Sequence, residues 1–292
     1  MRRRVRNLAW ASFFILPSLV PLLLFTVGPA FGALAVSFMR WDLLTPAKWI
    51  GLDNYKELLS DETFRAAILH TAQFVMGYLP IVLVGGLAVA LLLNRHIPES
   101  GFLRTLFFMP VVTSWVAVAL IWRWLLNPEY GFVNYVLRSA HLPTPGWWLD
   151  PHWAMASVIL ASSWKDIGYT MLILLAGLQS IPREYYESAS IDGASAWAQF
   201  RRITLPLLTP QILIVLVISI INNAQVFEQV WVMTDGGPEG STSTVVEQIV
   251  RNSFAYGHMG YASAQSVVLF LVIFLITWVQ IRLQKRWVHY EA

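Results

Sequence analysis

A chain of 292 residues with 57% hydrophobic side chains, 13% charged ones and a mean hydropathy of +0.57 does not describe a soluble domain, because a soluble core has no use for repeated helices that are apolar on nearly every face. A net charge of +3 and an isoelectric point near 9.2 do not make it a nucleic-acid binder, since the arginines are dispersed along apolar segments instead of gathered on one polar module. The absence of cysteine excludes disulfides and thiolate metal sites, and the six histidines show no metal-ligand spacing.

The remaining class is an all-α membrane protein. Crossing ~30 Å of hydrocarbon takes ~20 apolar residues in a helix, and lipid leaves no other open-chain structure with its backbone hydrogen bonds satisfied. The first apolar run follows Arg2, Arg3, Arg4 and Arg6. It is too long for a secretion signal and has no convincing small-residue cleavage site, so it is expected to be a retained helix over 10–38 with a cytoplasmic N-terminus. The second span is expected over 66–93, with Pro80, Gly85 and Gly86 packed against neighbouring helices. A third follows over 106–126. Residues 127–151, with Pro143, Pro145 and Gly146, then read as a compact outer loop carrying one short helix near 133–139.

The fourth span, 153–178, contains Lys165 and Asp166. A charge near the bilayer centre costs at least ~2.5–3.5 kcal/mol on insertion scales, so these side chains should face a polar cavity. Ser162, Asp166 and Tyr169 follow helical steps, with Lys165 beside them. A packing role, as an ion pair to a neighbouring helix or partner subunit, is the competing account of Lys165 and Asp166.

Between spans four and five lies a polar island. It reads Glu187-Ser188-Ala189-Ser190-Ile191-Asp192-Gly193-Ala194 and continues to Phe200, Ile203, Leu205 and Pro206. Pro182 suits a helix start, Glu184 and Glu187 complement the positive end of a helix dipole, and Gly193 allows a break. A second short helix is expected over 194–202, with Pro206 resetting the chain for the next span. Two short helices at an angle make a stiff projecting knob; on length and charge alone, a solvated amphipathic loop is the commoner outcome for such a segment.

The fifth span, 207–232, carries Ser219, Asn222, Gln225 and Gln229 in steps of three and four, with Asn223 adjacent. Amides and hydroxyls suit sugar hydroxyls because they donate and accept, although hydrogen bonding between helices, worth ~0.6 kcal/mol, also explains the asparagines. Glu228, near the outer end, reads as an interfacial acid or a gate residue. The stretch from Gly236 to Ser241 reads as a flexible turn, and the sixth span is expected over 262–283. Nine tryptophans, Trp148 and Trp231 among them, are expected to belong to the interfacial belts. With both termini inside, the cytoplasmic segments carry 12 of the 20 lysines and arginines, which agrees in sign with the positive-inside rule.

The island and the I-T-L-P ending at Pro206 resemble the EAA loop of binding-protein-dependent ABC importer permeases, in which a cytoplasmic elbow docks into an ATPase. The likeness to the maltose and glycerol-phosphate type extends further. It includes Gly51-Leu52-Asp53-Asn54-Tyr55, Arg104 through Pro110, Ile121-Trp122-Arg123-Trp124, Ala176 through Pro182, Thr234 through Pro238, and Gly260 through Ala264. The resemblance implies a type I ABC importer transmembrane-domain fold of six transmembrane helices, one permease domain over 1–292 with its coupling loop at 182–206, in the cytoplasmic (inner) cell membrane. It implies ATPase coupling through Glu184, Glu187, Ser188, Ala189, Asp192 and Gly193, with Ser188 where the family usually has alanine. By the same resemblance, substrate contacts fall to Ser162, Lys165, Asp166, Tyr169, Ser219, Asn222 and Asn223. The lysine and aspartate replace less polar residues of the maltose type, which points to a cargo with amino, acidic or many hydroxyl groups.

The implied partners are a second homologous permease, an ATP-binding cassette ATPase dimer, an extracytoplasmic solute-binding protein, membrane lipid and a carbohydrate. No cofactor is expected in this chain. It lacks G-x-x-x-x-G-K-[ST], so ATP and magnesium would be bound by the ATPase partners. Nor is an enzyme expected, since no nucleophile and base, paired acids or metal-ligand helix occur near a span midpoint. The alternative function is an ion-coupled secondary transporter that uses Lys165, Asp166 and Glu228 as a relay.

Overall fold

The computed structural model describes residues 13–95 and 100–288. The basic residues Arg2 to Arg6, and the first residues of the expected span at 10–38, lie outside them. Two compact units can be distinguished, one comprising Met1–Glu62 with Gln248–Leu271 and the other Thr63–Glu247 with Val272–Ala292.

In the first unit, helix α1 occupies Phe13–Val36 and exposes apolar side chains such as Phe25, Phe14 and Phe31, as a lipid-facing helix does. It widens to π-helical bonding over Leu23–Val27, where the Gly28 N–H reaches back to the Leu23 carbonyl. This occurs beside Pro29, which has no N–H to continue the ordinary ladder. Strands β1, Met39–Arg40, and β2, Lys48–Trp49, pair antiparallel. Asn54, in helix α2 (Asp53–Ser60), donates to the carbonyls of Ser37 at 2.8 Å and Met39 at 2.9 Å, which fixes the chain entering the hairpin. Between the strands, Asp42 accepts from the backbone and hydroxyl of Thr45 and the N–H of Leu44. Those bonds, the Thr45 N–H first, hold its carboxyl below the usual aspartate range.

The second unit is organised on long helices. Helix α3 covers Glu62–Leu93, α4 Ser100–Val112, α5 Trp115–Leu125 and α6 Phe132–Ser139. Helix α7 covers Pro151–Ser180. Asp150 caps α7 by accepting the His152 N–H at 2.9 Å, and Pro151 occupies its first turn. The helix stops where Ile181 turns extended ahead of Pro182. Gly77, Gly85 and Gly86 leave room on α3 for Ile159, Ile167 and Thr170 of α7; a Cβ on Gly86 would lie 2.5 Å from Thr170 Cγ2. This matches the close packing expected of Gly85 and Gly86. Phe74, Tyr78 and Val82 share one apolar core with Met155, Val158 and Ala161. Ala90 and Leu93 share a second with Met171, Leu174 and Leu178.

Helices α8 (Arg183–Ile191), α9 (Ala196–Leu207) and α10 (Thr209–Asn223) follow. Then come α11 (Glu228–Met233), α12 (Val245–Val250) and α13 (Met259–Leu283).

Among the described residues, four helices are long and apolar enough to cross a membrane, and six spans result if each of two bent pairs counts as one. The bent pairs are α4 with α5 and α9 with α10, and two of the expected spans are not single helices. The one predicted over 106–126 is α4 and α5, meeting at 97°. Pro110 interrupts the hydrogen-bond ladder and Ser114 is extended, with ψ of 138°. The one predicted over 207–232 is α10 and α11, separated by Ala224 to Phe227, with Phe227 at φ −143° and ψ −64°. Polar residues stand at both breaks, Thr113 and Ser114 at the first and Asn222, Asn223 and Gln225 at the second, but each group is short beside the apolar runs that flank it, so each stretch still reads as one span. The turn from Gly236 to Ser241 is also more ordered than expected. Thr242 donates its hydroxyl to the Gly237 carbonyl at 2.8 Å, and its N–H to that of Gly236 at 3.2 Å.

Candidate functional site

The elbow between α7 and α10 is built by local bonds. At the end of α8, the Ala194 N–H reaches the Ala189 carbonyl at 2.9 Å and the Gly193 N–H reaches that of Ser190 at 3.1 Å. This is a Schellman cap, and it needs a left-handed residue at position 193. Gly193 supplies it with φ +76°. Ser195 then caps α9 by accepting the Ala198 N–H at 3.3 Å. The second helix therefore begins at Ala196, not at 194. It also runs through Pro206 to Leu207, so the reset expected at Pro206 falls at Leu208, where α9 and α10 meet at 59°.

Tyr186 shares a 3.0 Å hydrogen bond with Thr204, and Gln199 donates to Ser190 at 3.0 Å, tying α8 to α9. Glu184, Glu187, Ser188, Asp192 and Gly193 are exposed and Ala189 is half-buried. Ile191 and Trp197, 86% and 68% exposed, give the tip an apolar surface left uncovered by the described residues.

The second feature is a cavity of about 570 Å3 within the membrane-spanning helices. From α7 it receives Lys165, Asp166 and Tyr169, and from α10 Ser219, Asn222 and Asn223. The break after Asn223 brings Gln225, Glu228 and Gln229 to the same wall. Gln225 is thus not one more step along a continuous helix; its amide turns back to donate to the Ile221 carbonyl at 3.1 Å.

Lys165 and Asp166 take different partners. Lys165 donates to the Val111 carbonyl at 2.6 Å, and its ammonium lies 4.9 Å from the centre of the Trp115 ring. Val111 is in the last turn of α4, where carbonyls have no helical donor. Thr113 takes two of them, its hydroxyl bonding Met109 and its N–H bonding Pro110. Lys165 takes the third, placing positive charge at the negative end of the helix. The residue is 4% exposed. Lys165→Met should therefore lower stability by about 1–3 kcal/mol by orphaning that carbonyl; thermal unfolding of the purified protein in detergent checks this, and an unchanged midpoint would remove the capping role. Asp166 accepts from the Tyr78 hydroxyl of α3 at 2.8 Å.

Of the seven residues expected to contact substrate, six line this cavity. Ser162 does not. It is fully buried one turn earlier on α7, in step with Val158, and its Oγ has no hydrogen-bond partner among the described residues. Glu228, read from the sequence chiefly as an interfacial acid, is a cavity residue. Tyr78, Val111 and Trp115 are additional lining residues; a lone tyrosine in an apolar run and a backbone carbonyl leave no sequence signal. With amides, hydroxyls, carboxylates and one ammonium, the cavity can hydrogen-bond a polar solute in many ways.

A helical membrane chain that combines an embedded polar cavity with an exposed two-helix elbow has the form of a solute-transport subunit. The family described as "Binding-protein-dependent transport system inner membrane component" matches residues 81–289, and the chain belongs to it. Probable ABC transporter permease protein YesP of Bacillus subtilis is 37% identical, with 99% of this chain and 94% of that protein covered. The trehalose/maltose transport system permease protein MalF of Thermococcus litoralis is 33% identical, with 97% and 96% covered. Among solved structures, a bacterial ABC transporter involved in import of the acidic polysaccharide alginate has a chain of 26% identity and TM-score 0.85, with 97% of this chain and 98% of that one covered. The fold is the type I ABC importer transmembrane domain, and the chain is a permease and not a member of an enzyme family.

Proposed function

We propose that this permease carries a sugar or sugar-like solute, delivered by an extracytoplasmic binding protein, through the cavity of α7, α10 and α11. The observation that carries the reading is the composition of that cavity: three amide side chains from α10 and the break beside it, a fourth from α11, Ser219, Tyr169 and the two carboxylates. Such a set matches a solute covered in hydroxyls. The printed functions of relatives such as the trehalose/maltose permease support the same cargo class.

In this reading the protein lies in the inner membrane with the elbow and both termini in the cytoplasm. The elbow docks through Glu184, Glu187, Ser188, Ala189, Asp192 and Gly193 into one of two ATPase subunits, which bind the ATP and magnesium. A second, homologous permease completes the pore. Closure of the ATPases on ATP moves the elbow and rocks α7 and α10 about the cavity, and hydrolysis resets it. Family membership removes the support for an ion-coupled carrier. Purification of the tagged chain in mild detergent should recover an ATPase and a second permease, whereas a homogeneous lone chain that transports in vesicles without ATP would overturn the reading. Asp166→Ala should reduce cargo-stimulated ATP hydrolysis roughly tenfold, the loss of one charged hydrogen bond, and leave assembly intact. Equal stimulation in wild type and variant would take Asp166 out of the cargo site.

A further inference from the structure

A second cleft, of about 210 Å3, opens at the far end of α11, beyond the end of α10 that leads away from the elbow. Its walls include Arg123 of α5, Trp148 and, from α11, Trp231. The indole N–H of Trp148 donates to the Arg123 carbonyl at 3.2 Å, and the Arg123 guanidinium lies 4.5 Å from the centre of the Trp148 ring. Arg123 Nη1 donates to the Val232 carbonyl at 3.1 Å. Among the described residues that is the one hydrogen bond of a side chain with five N–H donors, and the cleft is also lined by Asp235. Trp148 and Trp231, expected in the interfacial belts, flank one concave site that also holds Arg123 and Asp235. Both cavities have walls formed at α11. Phe227 lines the larger and Trp231 the smaller, and their rings pack with centroids 5.4 Å apart.

We infer that the Arg123, Trp148 and Trp231 cleft is a second saccharide subsite, in line with the first, so that the permease holds a chain of at least two sugar rings along α11. An indole face suits the apolar C–H face of a pyranose, and a guanidinium suits paired ring hydroxyls or a uronic carboxylate. The shared chemistry is a sugar ring with adjacent oxygen acceptors. The inference rests on the carbohydrate reading above.

The test is saturation-transfer NMR on the purified importer complex with methyl glucoside, maltose, maltotriose and digalacturonate as probes, for wild type, Trp231→Leu, Trp231→Tyr, Arg123→Gln and Asn222→Ala. Wild type is expected to bind a multi-ring probe on the order of tenfold more tightly than methyl glucoside, the contribution of one stacked ring. Trp231→Leu and Arg123→Gln should abolish that preference, Trp231→Tyr should restore it, and Asn222→Ala should weaken all probes alike. A preference for digalacturonate lost in Arg123→Gln assigns a carboxylate to the guanidinium; a preference for maltotriose assigns hydroxyls. Binding without any dependence on chain length, or a preference unchanged in Trp231→Leu, overturns the subsite and leaves the carbohydrate reading standing. A wild-type complex that binds none of the four sugars overturns both.

Discussion

Gly168→Ala is expected to destabilise the protein by about 3 kcal/mol, the upper part of the range for overpacking a core, and Gly168→Leu to yield no monodisperse protein. A Cβ on Gly168 would lie 2.8 Å from the Phe107 carbonyl carbon and 3.1 Å from Phe108 Cα, with the Phe107 oxygen closer still. These are backbone atoms of α4, so no rotamer change relieves the clash and the two helices must separate. Lys165 is three residues before Gly168 and Val111 one turn beyond Phe107; separation therefore breaks the 2.6 Å bond that caps α4 and deforms the cavity wall. Gly32→Ala and Gly101→Ala are the controls, since a Cβ at either meets nothing within 4 Å. Both should match or slightly exceed wild type, as alanine favours a helix by roughly 0.5–1 kcal/mol. Unfolding midpoints in detergent decide the matter, and a Gly168→Ala protein as stable as wild type would refute the close approach of α4 and α7.

At the elbow, Gly193→Pro and Glu187→Lys should each lower ATP-driven transport at least tenfold while membrane insertion remains normal. Proline fixes φ near −65°, whereas the cap requires +76°, and proline also removes the N–H that bonds the Ser190 carbonyl. The angle between α8 and α9 is then lost. Glu187 is exposed, so its reversal leaves the fold alone and acts at the docking face, where a misplaced charge costs on the order of 2 kcal/mol or more, about thirtyfold in association. Gly193→Asn should remain active, because asparagine tolerates the left-handed region. The readouts are co-purifying ATPase and uptake into vesicles. Wild-type values for both impaired variants would mean that the elbow does not couple ATP hydrolysis to transport.

The long helices were legible because each is an apolar run of membrane length, and the elbow because Glu184, Gly193 and Pro206 punctuate a polar island. Six cavity residues were legible as polar side chains at helical spacing. The missed breaks and the misplaced Glu228 share one cause. Periodicity assumes an unbroken helix, and neither Ser114 nor Phe227 announces that the backbone leaves it there. Glu228 was therefore carried toward an interface instead of into the cavity. Ser162 lies in step with Asp166 and Tyr169, yet whether one turn of a helix faces a cavity or a core depends on neighbours that sequence spacing does not contain.

The interruption between α10 and α11 separates two tasks along the chain. The close helix contacts at Gly86 and Gly168 are made by α3, α4 and α7, whereas the polar groups from Asn222 to Gln229 are presented by a helix end and the short segment after it, anchored in the core by Val226. Exchange of the polar members of that segment, with the buried Val226 kept, alters the chemistry offered to the solute without altering a helix-to-helix contact through Gly86 or Gly168. A scaffold arranged in this way can diversify its cargo by local replacement, and the same segment is the natural cassette for redirecting the importer to a chosen sugar.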